Sequence, residues 1–363
     1  MDGTVAVRGT DEATVRRAIE TGDPLPGTAG FAGQLDGRLV RDVLGRYPLF
    51  YERDDPETWA HDRRDLGDPR RVPAGHAHDE TGTERLWSLP EFPPTRDHQS
   101  AIAAVRRAVE TSVDATEETG LAVAFSGGID SAILAVLLDA PLYTVGFPDS
   151  HDVQAARSGA ALLGKELHVV ELDHDRLVET VPEIVDATGR TNAMDVQIAL
   201  PLFVVAARAA SDGFDRLALG QGADELFGGY AKVEKAPDDP RVEAETVRGA
   251  RDELLGGLPA QLERDVLTIR AAGVEPVTPL LADDVVEAAL RLPEALLVTP
   301  DGERKHALRR AAGDWLPDGI VDRDKKALQY GSLAARELDR LARQAGFKRR
   351  MDDHVTKYVE DIS

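Results

Sequence analysis

Leu121-Ala122-Val123-Ala124-Phe125-Ser126-Gly127-Gly128-Ile129-Asp130-Ser131-Ala132-Ile133-Leu134-Ala135-Val136-Leu137-Leu138 is the stretch on which the fold turns. Its first five residues form an unbroken apolar run of strand length, its middle is a glycine turn, and residues 131–138 have the composition of a good helix. The order is strand, turn, helix. Two glycines let the backbone turn tightly and approach an anion. The Ser126 and Ser131 hydroxyls add donors, and a helix N-terminus supplies unpaired N–H groups and positive potential. The turn reads as a pyrophosphate cradle, distinct from a Walker P-loop because the Gly-Lys-Ser/Thr ending is missing. A glycine turn that merely caps a helix is the plainer reading, and six positions in this context weigh against it.

Outward from this stretch the alternation continues. Residues 142–147 and 166–172 are predicted strands with a helix over 153–163 between them. A long helical region over 173–210 then precedes a fourth strand at 216–219. Strands alternating with helices at this spacing predict an α/β fold, a parallel sheet flanked by helices on both faces, with ligands at the carboxyl ends of the strands. Upstream, Ile102, Val105, Val109 and Val113 predict an amphipathic helix over 98–113. Downstream of Pro240 the chain reads as a helical C-terminal part, with helices over 242–255, 261–272, 285–292, 305–312 and 333–347. Residues 1–92 are rich in Gly, Pro, Arg and Asp with short apolar stretches, which suits a small β-rich module. Pro90, Pro93 and Pro94 read as a linker, so the expected domains are 1–92 and 93–363. There is no internal repeat and no low-complexity tract.

The chain of 363 residues carries 43 Lys plus Arg against 65 Asp plus Glu, a formal charge of −22. That balance excludes non-specific binding to nucleic acid or an anionic membrane, since the average field repels phosphate. With no cysteine there is no disulfide, thiolate metal site or cysteine nucleophile. The first ten residues include Asp2 and Arg8 and lack the apolar core of a signal peptide, and no window approaches 18 uninterrupted apolar residues, so a cytoplasmic protein is expected. Eight lysines, none before Lys165, leave nearly all positive charge to arginine. This composition resembles that of proteins from salt-accumulating, halophilic cells, where a dense carboxylate surface stays hydrated. An ordinary acidic enzyme from a high-GC genome is the alternative.

Two further motifs carry chemistry. Gly220-Gln221-Gly222-Ala223-Asp224-Glu225-Leu226-Phe227-Gly228-Gly229-Tyr230 follows the fourth strand. Adjacent carboxylates in a glycine-bounded loop are costly unless something positive neutralises them, and a magnesium ion on triphosphate oxygens would do so. A solvated acidic loop is the bland reading. Arg304-Lys305-His306 and Arg323-Asp324-Lys325-Lys326 gather three of the eight lysines. A lysine ammonium can follow phosphate or donate a proton, whereas charge balance on an acidic surface is the plainer role.

Residues 98 to about 335 resemble the synthetase domain of asparagine synthetases, within the PP-loop (HUP-like) ATP pyrophosphatase superfamily. The resemblance implies that Ser126, Gly127, Gly128, Ile129, Asp130 and Ser131 hold the ATP pyrophosphate and that Phe125 and Val145 contact the nucleotide. Leu219 and Gly220 complete the nucleotide site it implies. Asp130 and Asp224 become magnesium ligands. Ser150-His151-Asp152 matches a Ser-x-Asp of the family, and the Arg-x-Lys step makes Lys325 the lysine that contacts phosphate during amide formation. The catalytic candidates are Lys325, Gln221 and Glu225. Gln221 stands where the family carries a Glu thought to act as base, and a neutral amide orients a nucleophile without taking its proton.

Arg41-Asp42-Val43-Leu44-Gly45-Arg46-Tyr47-Pro48-Leu49-Phe50-Tyr51 and Val72-Pro73-Ala74-Gly75 are similar, more faintly, to the end of the family's glutaminase domain. That domain needs a cysteine after the initiator Met, and this chain has Asp2. Residues 1–92 are therefore expected to be a truncated, inactive module. The implied reaction uses ATP, Mg2+, ammonia and a carboxylic acid such as aspartate, and yields AMP and pyrophosphate. It leaves room for a separate glutaminase and for a homodimer. A related amide ligase with another acid or amine, and a nucleotide-binding pseudoenzyme, are the rivals.

Overall fold

The computed structural model describes residues 7–148, 150–235, 244, 246–323 and 330–363. The chain divides into two compact units. Residues 117–219, 264–277 and 316–363 form one, and residues 1–116, 220–263 and 278–315 form the other.

The first of these contains the predicted parallel sheet. Its five strands lie in the order Leu167–Glu171, Leu142–Gly146, Leu121–Ala124, Arg216–Ala218, Glu275–Val277, all parallel. The chain starts at the centre with Leu121–Ala124, works outward to one edge, and then returns to the other side of the starting strand. Strand order thus reverses between Leu121–Ala124 and Arg216–Ala218, whose register pairs Val123 with Ala218. In open α/β sheets that reversal marks the crevice where ligands bind. Both glycine motifs begin at the carboxyl ends of these two strands.

The predicted helical region over 173–210 is two helices, His174–Thr188 and Ala193–Ser211. Gly189 at φ 65 ends the first by donating to the Val185 carbonyl. Asn192 starts the second, its side chain accepting from the Asp195 N–H. Ala193–Ser211 is long and apolar enough to cross a membrane by length and composition. Its Val196, Leu200 and Val204 pack instead into a core shared with Tyr143, Val170 and Leu177. The fifth strand, Glu275–Val277, lies where the sequence reading has only helices. Three residues with a central proline make a weak strand signal, and an edge position tolerates the missing N–H. The two helices expected over 242–255 and 261–272 are one, Val247–Ala271, with Pro259 inside it. Leu254, Leu255, Leu258, Leu262 and Val266 are all buried. Their burial outweighs the lost backbone hydrogen bond, about 3 kcal/mol for an interior proline.

The second unit opens with the β-rich part. One antiparallel sheet runs in the order Val7–Arg8, Ala32–Leu35, Arg38–Arg41, His76–Asp79, Gly82–Arg85, and a smaller one has Phe50–Glu52 between Asp55–Ala60 and Pro69–Arg71. The helix His98–Asp114 packs against Asp283–Leu290 and His306–Ala312 in the same unit.

Candidate active site

The candidate residues fall into two sets, one in each unit. In the sheet-bearing unit the buried strand ends at Phe125 and the chain turns at Gly127, whose φ of +77 suits glycine. A Cβ on Gly127 would stand 2.5 Å from the Ala155 carbonyl oxygen, so the turn lies directly on helix His151–Leu163. Ser126 and Ser131 knit the turn. The Ser126 N–H donates to Ser131 Oγ (3.2 Å), the Gly128 N–H donates to Ser126 Oγ (3.3 Å), and Ser131 Oγ donates to the Gly128 carbonyl (3.1 Å). Gly128 then caps helix Ile129–Leu137, which bears Asp130 in its first turn, where a carboxylate complements the helix dipole.

Arg323 fixes this turn from the far end of the chain. Its Nη1 donates to the carbonyls of Gly127 and Ala155 (both 3.3 Å), and its Nη2 donates to Ser158 Oγ (3.1 Å). At the carboxyl ends of Leu142–Gly146 and Leu167–Glu171, a small cavity is lined by Val145, Gly146, Phe147, Asp152, Leu172, Pro201 and Ala334. Burial pushes the Asp152 carboxyl above the usual carboxylate range. Leu219 closes this set, its N–H donating to the Val277 carbonyl (2.9 Å).

In the other unit, Gly220 and Gln221 lead into Gly222 at φ +88, which starts the one-turn helix Ala223–Phe227. Asp224 meets the ammonium of Lys305 at 2.7 Å, and Lys305 is only 2% exposed. A Cβ on Gly229 would fall among the Asp224 carboxylate and the Lys305 stem, so glycine there makes room for the pair. Arg304 Nη1 donates to the Gly229 carbonyl (2.9 Å), and Arg309 Nε donates to the Arg304 carbonyl (2.9 Å). Glu225 is buried and accepts from the Tyr230 hydroxyl (2.7 Å). Burial pushes its carboxyl up, against the opposing pull of the Tyr230 hydrogen bond. The acidic step is thus neutralised in two ways: Lys305 balances Asp224, and burial favours the protonated form of Glu225. Sequence reasoning grouped Lys305 with a phosphate-contacting cluster and missed this task. The signal available was a scarce lysine directly ahead of a helix. Lys325 and Lys326 lie outside the described residues.

Among the described residues no three His, Asp or Glu side chains converge on one point. A protein-only cage for a divalent cation is absent there. The carboxylates of Asp130 and Asp224 are nonetheless hard oxygen donors, and Mg2+ is characteristically held by one or two carboxylates, water and substrate phosphates. Each of the two, taken in its own unit, is a donor of that kind.

The asparagine synthase family model matches residues 102–270 and 253–357. A protein of Methanocaldococcus jannaschii assigned as a glutamine-hydrolysing asparagine synthetase is 28% identical, over 88% of this chain and 71% of that one. Glutamine-hydrolysing asparagine synthetase 1 of Arabidopsis thaliana is 27% identical over 81% of this chain and 55% of its own length. Asparagine synthetase B of Escherichia coli K12 is 24% identical over 85% and 62%. The chain therefore spans little more than half to about seven-tenths of the length of these relatives.

Proposed function

We propose, for a chain that belongs to the asparagine synthase family, that it is an ATP-dependent carbon–nitrogen ligase that adenylates a carboxylate, most simply the side chain of aspartate, and amidates it with ammonia. The observation that carries this reading is the 126–131 turn, a glycine cradle at the carboxyl end of the central strand and inside the matched span. In the first step a carboxylate oxygen bonds to the α-phosphorus of ATP, and the bond to the β-phosphate oxygen breaks, releasing pyrophosphate. In the second, ammonia bonds to the acyl carbon, AMP departs with the bonding pair, and a proton is released. Two displacements replace one difficult condensation.

Ser126, Gly127, Gly128, Ile129 and Ser131 cradle the pyrophosphate with hydroxyls and the helix N-terminus. Phe125, Val145, Leu219 and Gly220 contact the rest of the nucleotide. Asp130 and Asp224 are the residues that would hold magnesium, which supplies neutralisation of the leaving pyrophosphate when bound. Lys325 balances charge on phosphate as the adenylate forms and breaks. Gln221 orients the amine, and Glu225 keeps the loop closed on Tyr230. Residues 1–92 are a glutaminase-like module without the cysteine that this kind of glutamine hydrolysis needs. Ammonia then arrives free or from a separate glutaminase. The net charge of −22 supports a salt-adapted enzyme. Gln221 favours, as a second reading, an amine or acid different from those of asparagine formation.

Exchange of labelled pyrophosphate into ATP, measured with Mg2+ and candidate acids, tests the reading. Exchange that depends on aspartate is expected, as is amide formation with ammonium and none with glutamine. Formation of ADP and phosphate, or release of glutamate from glutamine, would overturn it.

A further inference from the structure

Arg46 belongs to the β-rich module, yet it is buried against a distant segment of the same unit. Its Nε donates to Asp42 Oδ1 (2.9 Å), its Nη2 is 2.8 Å from Asp283 Oδ1, and its Nη1 donates to the Leu281 carbonyl (2.7 Å). The other oxygen of Asp283 accepts from the Thr28 N–H (2.7 Å) and the Thr28 hydroxyl (3.0 Å). The Thr28 carbonyl in turn accepts from the Asp283 N–H (2.8 Å). Leu281 and Asp283 are thus held by backbone and side chain alike.

Leu281 passes that constraint on. Its side chain occupies the space that a Cβ on Gly222 would need. Gly222 stands at φ +88 where helix Ala223–Phe227 begins, and that turn carries Asp224 and Glu225. A helix of one turn has little stability of its own, so what packs against its start sets its position.

We propose that Arg46 is a positioning residue for the acidic turn, acting through Leu281 on Gly222, and that the cysteine-less module serves the ligase as this brace. A buried arginine fork is suited to the task because it fixes a carboxylate and a carbonyl in one plane. The inference rests on the functional reading above for what Asp224 does, but not for the bracing itself.

The test uses the full chain as wild type, Arg46→Met and Leu281→Ala, and reads two quantities. The Leu226 N–H bonded to the Gly222 carbonyl and the Gly229 N–H bonded to the Asp224 carbonyl report on the turn by hydrogen exchange. Both amides should exchange about tenfold faster in either variant, while those of helix Ile129–Leu137 keep their rates. In pyrophosphate exchange kcat should fall about tenfold, and the KM for ATP should change by less than about twofold. Unchanged exchange at Leu226 and Gly229 would overturn the proposal. So would equal acceleration in Ile129–Leu137, the mark of general destabilisation. If Arg46→Met does not fold, Leu281→Ala decides alone, since it leaves the ion pairs in place. A wild type with no pyrophosphate exchange but with the expected amide pattern would sink the ligase reading and uphold the brace.

Discussion

Lys305 holds φ 58, a left-handed conformation unusual for a lysine, at the start of helix His306–Ala312, and its ammonium is buried on Asp224. Desolvating an ammonium is costly unless a carboxylate compensates, and removing one member of a buried pair leaves the other charge stranded. Asp224 is 27% exposed, so water relieves part of that penalty. Lys305→Met should therefore destabilise the protein by about 2–3 kcal/mol, below the ~3–5 kcal/mol of a fully enclosed pair. Adding Asp224→Asn should recover part of the loss. Urea unfolding of the two single variants and the double variant checks this, and strictly additive losses would show that the pair is not coupled. Glu225 makes a separate prediction. Its carboxyl is raised by burial, so the folded state binds a proton more tightly than the unfolded state does. Stability from this group is complete below the ordinary carboxyl range and is lost as pH rises through the raised value. Relative to wild type, Glu225→Gln should gain stability as pH increases from that range upward. Thermal melts of both proteins across pH 4 to 8, at about one-unit steps, should diverge in that direction. A constant difference would remove the raised carboxyl from the account.

At the scale of elements, the cradle separates two glycines that look alike in sequence. Gly127 sits at φ +77 with the Ala155 carbonyl 2.5 Å from a would-be Cβ, whereas Gly128 is extended, at φ −81, with only Ser126 Oγ at 3.4 Å. Gly127→Ala should cost at least about 1–3 kcal/mol in strain and displace the turn from its helix. Gly128→Ala should stay within about 0.5 kcal/mol of wild type. Melting temperatures of the two variants decide it, and equal losses would contradict the geometry. The turn was legible because its signals are local: an apolar run, two glycines and a helical stretch, in that order. The first four strands of the sheet were legible for the same reason. Their side-by-side order was not, because adjacency joins segments about a hundred residues apart, as in Leu121 beside Arg216. Glu275–Val277 was hidden by its length and its proline. The Asp224–Lys305 pair and the contact of Arg323 with Gly127 were hidden by sequence distance, although every residue in them lay in a motif already singled out.

For the molecule as a whole, the balance of charge sets how it answers to salt. Exposed ion pairs such as Arg16 with Asp36 (2.9 Å) and Arg53 with Asp68 (2.8 Å) contribute little to stability, and salt weakens them. Working the other way is the excess of 22 negative charges left after every Lys and Arg is matched to a carboxylate. Their mutual repulsion falls as the screening length drops from about 10 Å at 0.1 M salt to about 3 Å at 1 M. A contact pair at 2.8–2.9 Å lies well inside the first length but is comparable to the second, so it is weakened, yet such exposed pairs contribute little to begin with. Repulsion between carboxylates farther apart is largely removed. The long-range term therefore dominates, and the melting temperature should rise as KCl is increased from about 0.1 M to about 1 M. Potassium sulfate should add a further increase at equal ionic strength, because excluded anions strengthen apolar burial without more screening. A melting temperature that falls across the KCl series would mean that surface ion pairs outweigh net repulsion, and the salt-adapted reading of the composition would fail.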